Sequence, residues 1–284
     1  MNTANIVSMF SYNFMQFAMI VGLILGICLP IVGVIVYLRK IIFLSDTIGQ
    51  ISLTGASFGV FISSTVSNLV VNNFWMIIIF TIIGAIFIQF LNDKIKSNQE
   101  ISLLITHSIA ISLVMIFLSL AKSYGANLFN ILFGNINSIS AQDVMIIASL
   151  SIIVISLLLV KWRTIILVFI DEVSAKLRGI NVTFYKYFTT ILISVMIALA
   201  VKVVGVLLVA TMLALPIVSA SLFSHNLKKV VLMAIVMAII SFEGGIMSSY
   251  IFDLPSSALI VFISLLELII SSIIKIIHGS SYGK

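Results

Sequence analysis

Along this 284-residue chain, apolar positions do not alternate with polar ones. They gather into runs of about 20 residues, the length that spans a bilayer as one helix. Nine runs are read: Phe14–Leu38, Ile41–Ser64, Val70–Leu91, Ile101–Ala121, Val144–Val160, Tyr185–Val201, Val203–Phe223, Val230–Ile251 and Ala258–Ile277. The sixth and seventh nearly merge across Lys202, so a count of eight is equally compatible. The pattern predicts an all-α integral-membrane protein, a polytopic bundle of eight or nine transmembrane helices. No Pro-rich, Gly/Ser-rich or charged linker interrupts it, so one transmembrane domain over residues 1–284 is expected. The first run has no positive residue before it and is too long for a signal peptide, which reads as a retained span.

Composition excludes the aqueous alternatives. The chain is 62% hydrophobic and 8% charged, with mean hydropathy +1.32, against about 25% charged residues in soluble domains. The pI near 9.5 raises nucleic acid as a partner. The basic residues, however, sit between apolar runs without interleaved aromatics, so nucleic-acid binding is not expected. They also set an orientation. With the N-terminus outside, all 15 lysines and arginines except Lys122 and Lys202 face the cytoplasm, and so does the C-terminus. The one cysteine, Cys28, lies in an apolar run and reads as a small buried residue.

Polar residues inside the runs are the candidates for function. Asp46 and Gln50 are four apart, on one face of a helix. A carboxylate in a bilayer is costly and marks a functional site by default. Glu243, before Gly244-Gly245, reads as a lining residue or a helix–helix contact. Glu267 reads as a structural or dimer contact, and His107 as a satisfied histidine between helices. Gly22/Gly26 and Gly55/Gly59 are GxxxG pairs that permit close helix approach. Pro30 and Pro216 free the carbonyls of Gly26 and Met212. Two connections are long. Lys122–Asp143, placed outside, is amphipathic and Asn/Ser-rich. Lys161–Lys186, placed inside, contains Asp171-Glu172-Val-Ser-Ala175-Lys-Leu-Arg-Gly179-Ile-Asn181. Acidic residues open that stretch, basic ones follow and a glycine ends it, the order of a short capped helix. On residues alone it is a docking element or a solvated loop. The motifs H-E-x-x-H, G-x-S-x-G and G-x-x-x-x-G-K-[ST] are absent from the sequence. If ATP drives this protein, a separate subunit must hydrolyse it.

Four stretches in register carry a resemblance. They are Ser45-Asp46-Thr-Ile-Gly-Gln50-Ile-Ser-Leu-Thr-Gly55; Leu132-Phe-Gly134-Asn; Asp171-Glu172-x-x-Ala175-x-x-x-Gly179-x-Asn181; and Val204-Gly205-Val-Leu207-Leu208 with Pro216, Ala220, Gly245 and Asp253-Leu-Pro255-Ser-Ser-Ala258. From about residue 20 to residue 275 the chain resembles the permease subunits of zinc/manganese-type ABC importers. The resemblance implies a fold related to vitamin B12 importer permeases, in the bacterial cytoplasmic (inner) membrane. It implies two permease copies around a central path, ATP-binding cassette ATPase subunits below, and an extracytoplasmic protein that delivers a divalent metal ion, docking near Lys122–Asp143 and the turn at Asp253-Leu-Pro255. No permanently bound cofactor and no enzymatic activity of its own are implied. Asp46 and Gln50 match the family's metal contacts. Asp171, Glu172, Ala175, Gly179 and Asn181 match its ATPase-coupling helix, with Ala175 expected to be small because it faces a tight ATPase groove. Gly205, Pro216, Glu243 and Gly245 are expected to line the path or pack beside it. The family typically shows Gly-Asp-x-x-x-His where this chain has Ser45-Asp46 and Gln50, and imidazole suits zinc better than an amide oxygen. Zinc is the expected ion, with manganese or iron open. The rival class is a proton-coupled secondary transporter relaying protons through Asp46 or Glu243.

Overall fold

A computed structural model describes residues 12–65, 73–95, 99–121, 132–134, 139–224 and 226–279. Its elements are all helical: α1 (Asn13–Leu38), α2 (Phe43–Thr65), α3 (Asn73–Ile95), α4 (Gln99–Leu120), α5 (Ala141–Val160), α6 (Trp162–Ile170), α7 (Glu172–Leu177), α8 (Val182–Val204), α9 (Val206–Ser221), α10 (Leu227–Phe252) and α11 (Ser256–Gly279). Among the described residues, seven of them (α1, α3, α4, α5, α8, α10 and α11) are long and apolar enough to cross a membrane.

Each of the nine expected runs contains a helix among its described residues, but two differ from the expected spans. Helix α9 has only 16 residues. Helix α2 has 23 residues but is polar, with Ser45, Asp46, Thr47, Gln50, Ser52, Thr54 and Ser57 along it. Protein shields it: Ser45, Thr47, Ser52, Thr54 and Ser57 are all buried, and α3, α4 and α8 pack around it. Several hydroxyls bond back to their own helix, Thr47 to the Phe43 carbonyl at 3.1 Å, Ser52 to Ile48 at 2.9 Å and Ser57 to Leu53 at 2.8 Å. Those polar atoms therefore need no water.

The break between the sixth and seventh runs is displaced from the expected Lys202. Lys202 lies in the last turn of α8, its ammonium 5.1 Å from the centre of the Phe74 ring. The helix ends instead at Gly205, whose φ is +85°. Gly134 also has a positive φ, +72°. A Cβ on Gly134 would overlap the Val203 carbonyl, and one on Gly205 would overlap the Leu132 carbonyl. Two of the four family stretches thus meet backbone to backbone at glycines, where a side chain cannot fit.

The chain divides into two compact units interleaved in sequence. The first runs up to Tyr37, resumes at Asn135–Ser151 and again from Thr211. In it, Gly22 and Gly26 of α1 face Ile246 and Ile239 of α10, Gly33 faces the Leu213 carbonyl of α9, and Gly245 faces the Ile260 backbone of α11. Gly22/Gly26 is therefore a packing face. Cys28 is buried, as expected. The second unit comprises Leu38–Gly134 and Ile152–Ala210. There Gly55 lies against the backbone of Met76 and Ile77 in α3, and Thr54 donates to the Ala110 carbonyl of α4 at 3.1 Å. Large apolar side chains such as Ile83, Met115, Leu232 and Phe262 remain exposed, which a hydrocarbon solvent favours.

Most of the expected outer connection Lys122–Asp143 lies outside the described residues. Its end forms a reciprocal cap: Asp143 N–H donates to Ser140 Oγ at 3.3 Å, and Ser140 N–H donates to Asp143 Oδ2 at 3.0 Å. The turn at Asp253-Leu-Pro255 joins α10 to α11, with Asp253 in the left-handed region at φ +55°.

Candidate functional site

Helix α2 starts after a tight turn in which Leu44 N–H and Ser45 N–H donate to the carbonyls of Ile41 and Ile42 at 2.9 and 3.1 Å. Asp46 falls in its first turn, at the positive end of the helix dipole. Gln50 stands one turn further on, half-buried. His107 of α4 reaches the same place. Its Nδ1 lies 3.7 Å from Asp46 Oδ2, with the side chains 19% and 35% exposed respectively. That separation is too long for a hydrogen bond, and Nδ1 is buried with no hydrogen-bond partner. The ring is held against Phe43, centroids 5.2 Å apart. The expectation of a satisfied histidine is thus corrected at Nδ1: it faces the one carboxylate of α2 and makes no hydrogen bond. The half-exposed carboxylate beside it can compensate a cation's charge in low dielectric. Among the described residues, no three His, Cys, Asp or Glu side chains converge as a metal cluster.

The other intramembrane carboxylates lie in the first unit. Glu243 stands beside Gly22, where an added Cβ would come within 3.1 Å of Oε1. That oxygen is buried without a hydrogen-bond partner. Gly245, two residues on, lets α11 approach. Glu267 of α11 accepts from Ser241 Oγ of α10 at 3.0 Å, a polar tie between helices that its own run does not reveal. Pro216 lies inside α9, which continues through it.

The inner connection forms two helices. Asp171 separates α6 from α7 and caps the latter, accepting from Ser174 N–H at 3.0 Å and from the Ser174 hydroxyl. These bonds hold its carboxyl below the ordinary aspartate range. At the other end Gly179 N–H donates to Lys176 and Ile180 N–H to Ala175, at 3.0 and 3.1 Å. With Gly179 at φ +74°, this is a Schellman ending. Asn181 then caps α8, accepting from Phe184 N–H at 3.1 Å. Glu172 pairs with Lys176 and Lys186, both at 2.8 Å. Ala175 departs from expectation. It is fully buried against Val168 and Val182, with Leu167, Phe169, Ile180 and Tyr185 around them. Its small size therefore serves this chain's own core and not an outer groove. The apolar side chains that α7 exposes are Val173 at 69% and Leu177 at 84%, which share one face by i,i+4 spacing. Sequence reading missed both.

Arg39, just before α2, ties this region to it. Its guanidinium donates to Thr190 Oγ1 at 2.9 Å and lies 4.8 Å from the centre of the Phe169 ring.

Comparison with known proteins covers nearly the whole chain. The profile of the ABC 3 transport family matches residues 11–275. The manganese transport system membrane protein MntC of Listeria monocytogenes is 30% identical over 274 residues, covering 96% of this chain and 95% of that protein. The high-affinity zinc uptake system membrane protein ZnuB of Buchnera aphidicola subsp. Acyrthosiphon pisum is 31% identical over 256 residues, covering 89% and 95%. A solved structure of PsaBC from Streptococcus pneumoniae in complex with Fab includes a chain that superposes with TM-score 0.81 at 26% identity, covering 95% of each chain. An inward-facing structure of a putative metal-chelate type ABC transporter shares the fold, with TM-score 0.70 at 17% identity, covering 91% of this chain and 85% of that one. The chain belongs to the ABC 3 transport family, as a non-catalytic, multi-pass permease subunit of the bacterial cytoplasmic membrane.

Proposed function

We propose that this permease carries a divalent metal ion, zinc in the first instance, into the cytoplasm as part of an ATP-driven importer. One observation carries the reading: α2 buries Ser45, Thr47, Ser52, Thr54 and Ser57 yet leaves the Asp46 carboxylate between them 35% exposed. A charge kept available on a protein-shielded helix serves a passing cation, and a pathway needs binding weak enough to release it. Gln50 adds an amide oxygen on the same face. Relatives named for zinc and for manganese both support a divalent cargo. Manganese is the second reading, favoured by the oxygen of Gln50 where imidazole is typical of the family. Family membership sets aside the proton-coupled carrier.

In this reading the single domain over residues 1–284 pairs with a second copy. An extracytoplasmic metal-binding protein loads the path from the N-terminal side, and a separate ATPase seats against α7. Asp171 and Gly179 give α7 its ends, Asn181 starts α8 beside it, Glu172 and Ala175 fix α7 to α8, and Val173 and Leu177 meet the ATPase. Gly205, Pro216, Glu243 and Gly245 shape the helix packing that the ATPase cycle rearranges.

The test is Asp46→Asn, which keeps shape and removes charge. Metal uptake by cells carrying the variant with its partners should fall by about tenfold or more, since losing even a group that only orients a metal ligand costs that much, while the protein still inserts and copurifies with the ATPase. Uptake at the unaltered rate would remove Asp46 from the path.

A further inference from the structure

We infer that His107 supplies the imidazole of the transit site, taking from α4 the place that the family's histidine occupies on α2. The inference rests on the reading of Asp46 as a path residue. Zinc bonds of about 2.0–2.2 Å to nitrogen and oxygen set two ligand atoms about 3.3–3.6 Å apart at the tetrahedral angle. His107 Nδ1 and Asp46 Oδ2 are 3.7 Å apart, close to that edge and beyond hydrogen-bond reach. Nδ1 is buried and unpartnered, a cost in a low-dielectric site that a metal bond removes. With its proton on Nε2, His107 presents the Nδ1 lone pair toward the carboxylate. The ring is already placed by Phe43, and the two helices are pinned above the site by the Thr54–Ala110 hydrogen bond.

The ligand set is therefore one imidazole nitrogen, one carboxylate and, one turn along the same face, the Gln50 amide oxygen, with water completing the shell. Nitrogen plus carboxylate suits zinc and its first-row neighbours, whereas oxygen alone suits magnesium, calcium and manganese. His107 thus determines ion preference, and Gln50 no longer argues against zinc.

The experiment uses bacteria lacking their own zinc and manganese uptake and supplied with the permease, its ATPase and its binding protein. Radioactive zinc and radioactive manganese uptake are measured separately, and ATPase copurification reports assembly. His107→Gln should cut zinc uptake by at least about tenfold, the loss seen even for groups that only orient metal ligands, and manganese uptake much less. Adding Gln50→His to His107→Gln should return zinc uptake, because the imidazole is restored from α2. Unchanged zinc uptake in His107→Gln would overturn the inference. So would equal loss of both ions without rescue, which would make His107 a packing residue. If Asp46→Asn abolishes uptake while His107→Gln transports zinc normally, only this inference fails. If Asp46→Asn transports normally, the path reading itself fails.

Discussion

Glu172 is held by two lysines at once, and its titration is therefore informative. Hydrogen bonds from Lys176 and Lys186 keep its carboxyl below its ordinary value of 4.5. A depressed carboxyl contributes stability that is complete above the unfolded value and is lost as pH falls through the lower folded one. The carboxylate side chain is 41% exposed and Lys176 63%, so solvent keeps each pair within about 0–1 kcal/mol. Glu172→Gln should lower the melting temperature of the purified permease slightly at neutral pH. The difference should close as pH drops below 4.5. A difference of the same size at low pH would show that shape, not charge, sets the contribution. Asp46 and His107 pose the opposite residue-scale problem, since each is plain in its own run but nothing local joins them. Alternating spans start runs two and four from the same face of the membrane, so the two residues share a depth. That was the one signal in the sequence, and depth alone does not choose a neighbouring helix.

Helix α7 has six residues, too few to persist alone. Its ends come from Asp171 and Gly179, and its anchor is Ala175 in the cluster with Val168 and Val182. Ala175→Trp should therefore act on the permease itself, since overpacking a core costs about 1–3 kcal/mol and lowers the melting temperature before any partner is added. Leu177→Asp should leave the melting temperature nearly unchanged, because exposed positions shift stability by about 0.5 kcal/mol or less, and should abolish ATPase copurification. A stable Ala175→Trp protein that alone loses the ATPase would return the groove to Ala175. The ends of this helix were legible because caps and stops are local: a carboxylate three residues before its N–H donor, a glycine where φ turns positive. The direction of Ala175 was not, since six residues hold too few turns to show a periodic face. Val173 and Leu177 gave no contrast in a chain that is 62% hydrophobic.

At the scale of the molecule, apolar run length determines a helical membrane bundle, and each of the nine runs contains a helix among the described residues. What run length could not show is which helices lipid touches. Helix α2 is as long as its neighbours, yet the hydroxyls from Ser45 to Ser57 are buried where α3, α4 and α8 pack against it, so the same residues that lower its hydropathy make it the helix that can carry a charge. The break at Gly205 was also hidden, because it depends on Gly134 from a distant stretch meeting it backbone to backbone. The central claim is that this arrangement moves a divalent metal ion at the expense of ATP. Zinc flux into liposomes holding the permease and its ATPase, with the binding protein outside, tests it most directly. The account predicts flux that requires both ATP and the binding protein and is indifferent to collapse of a proton gradient. Zinc entry driven by a proton gradient without ATP would contradict it.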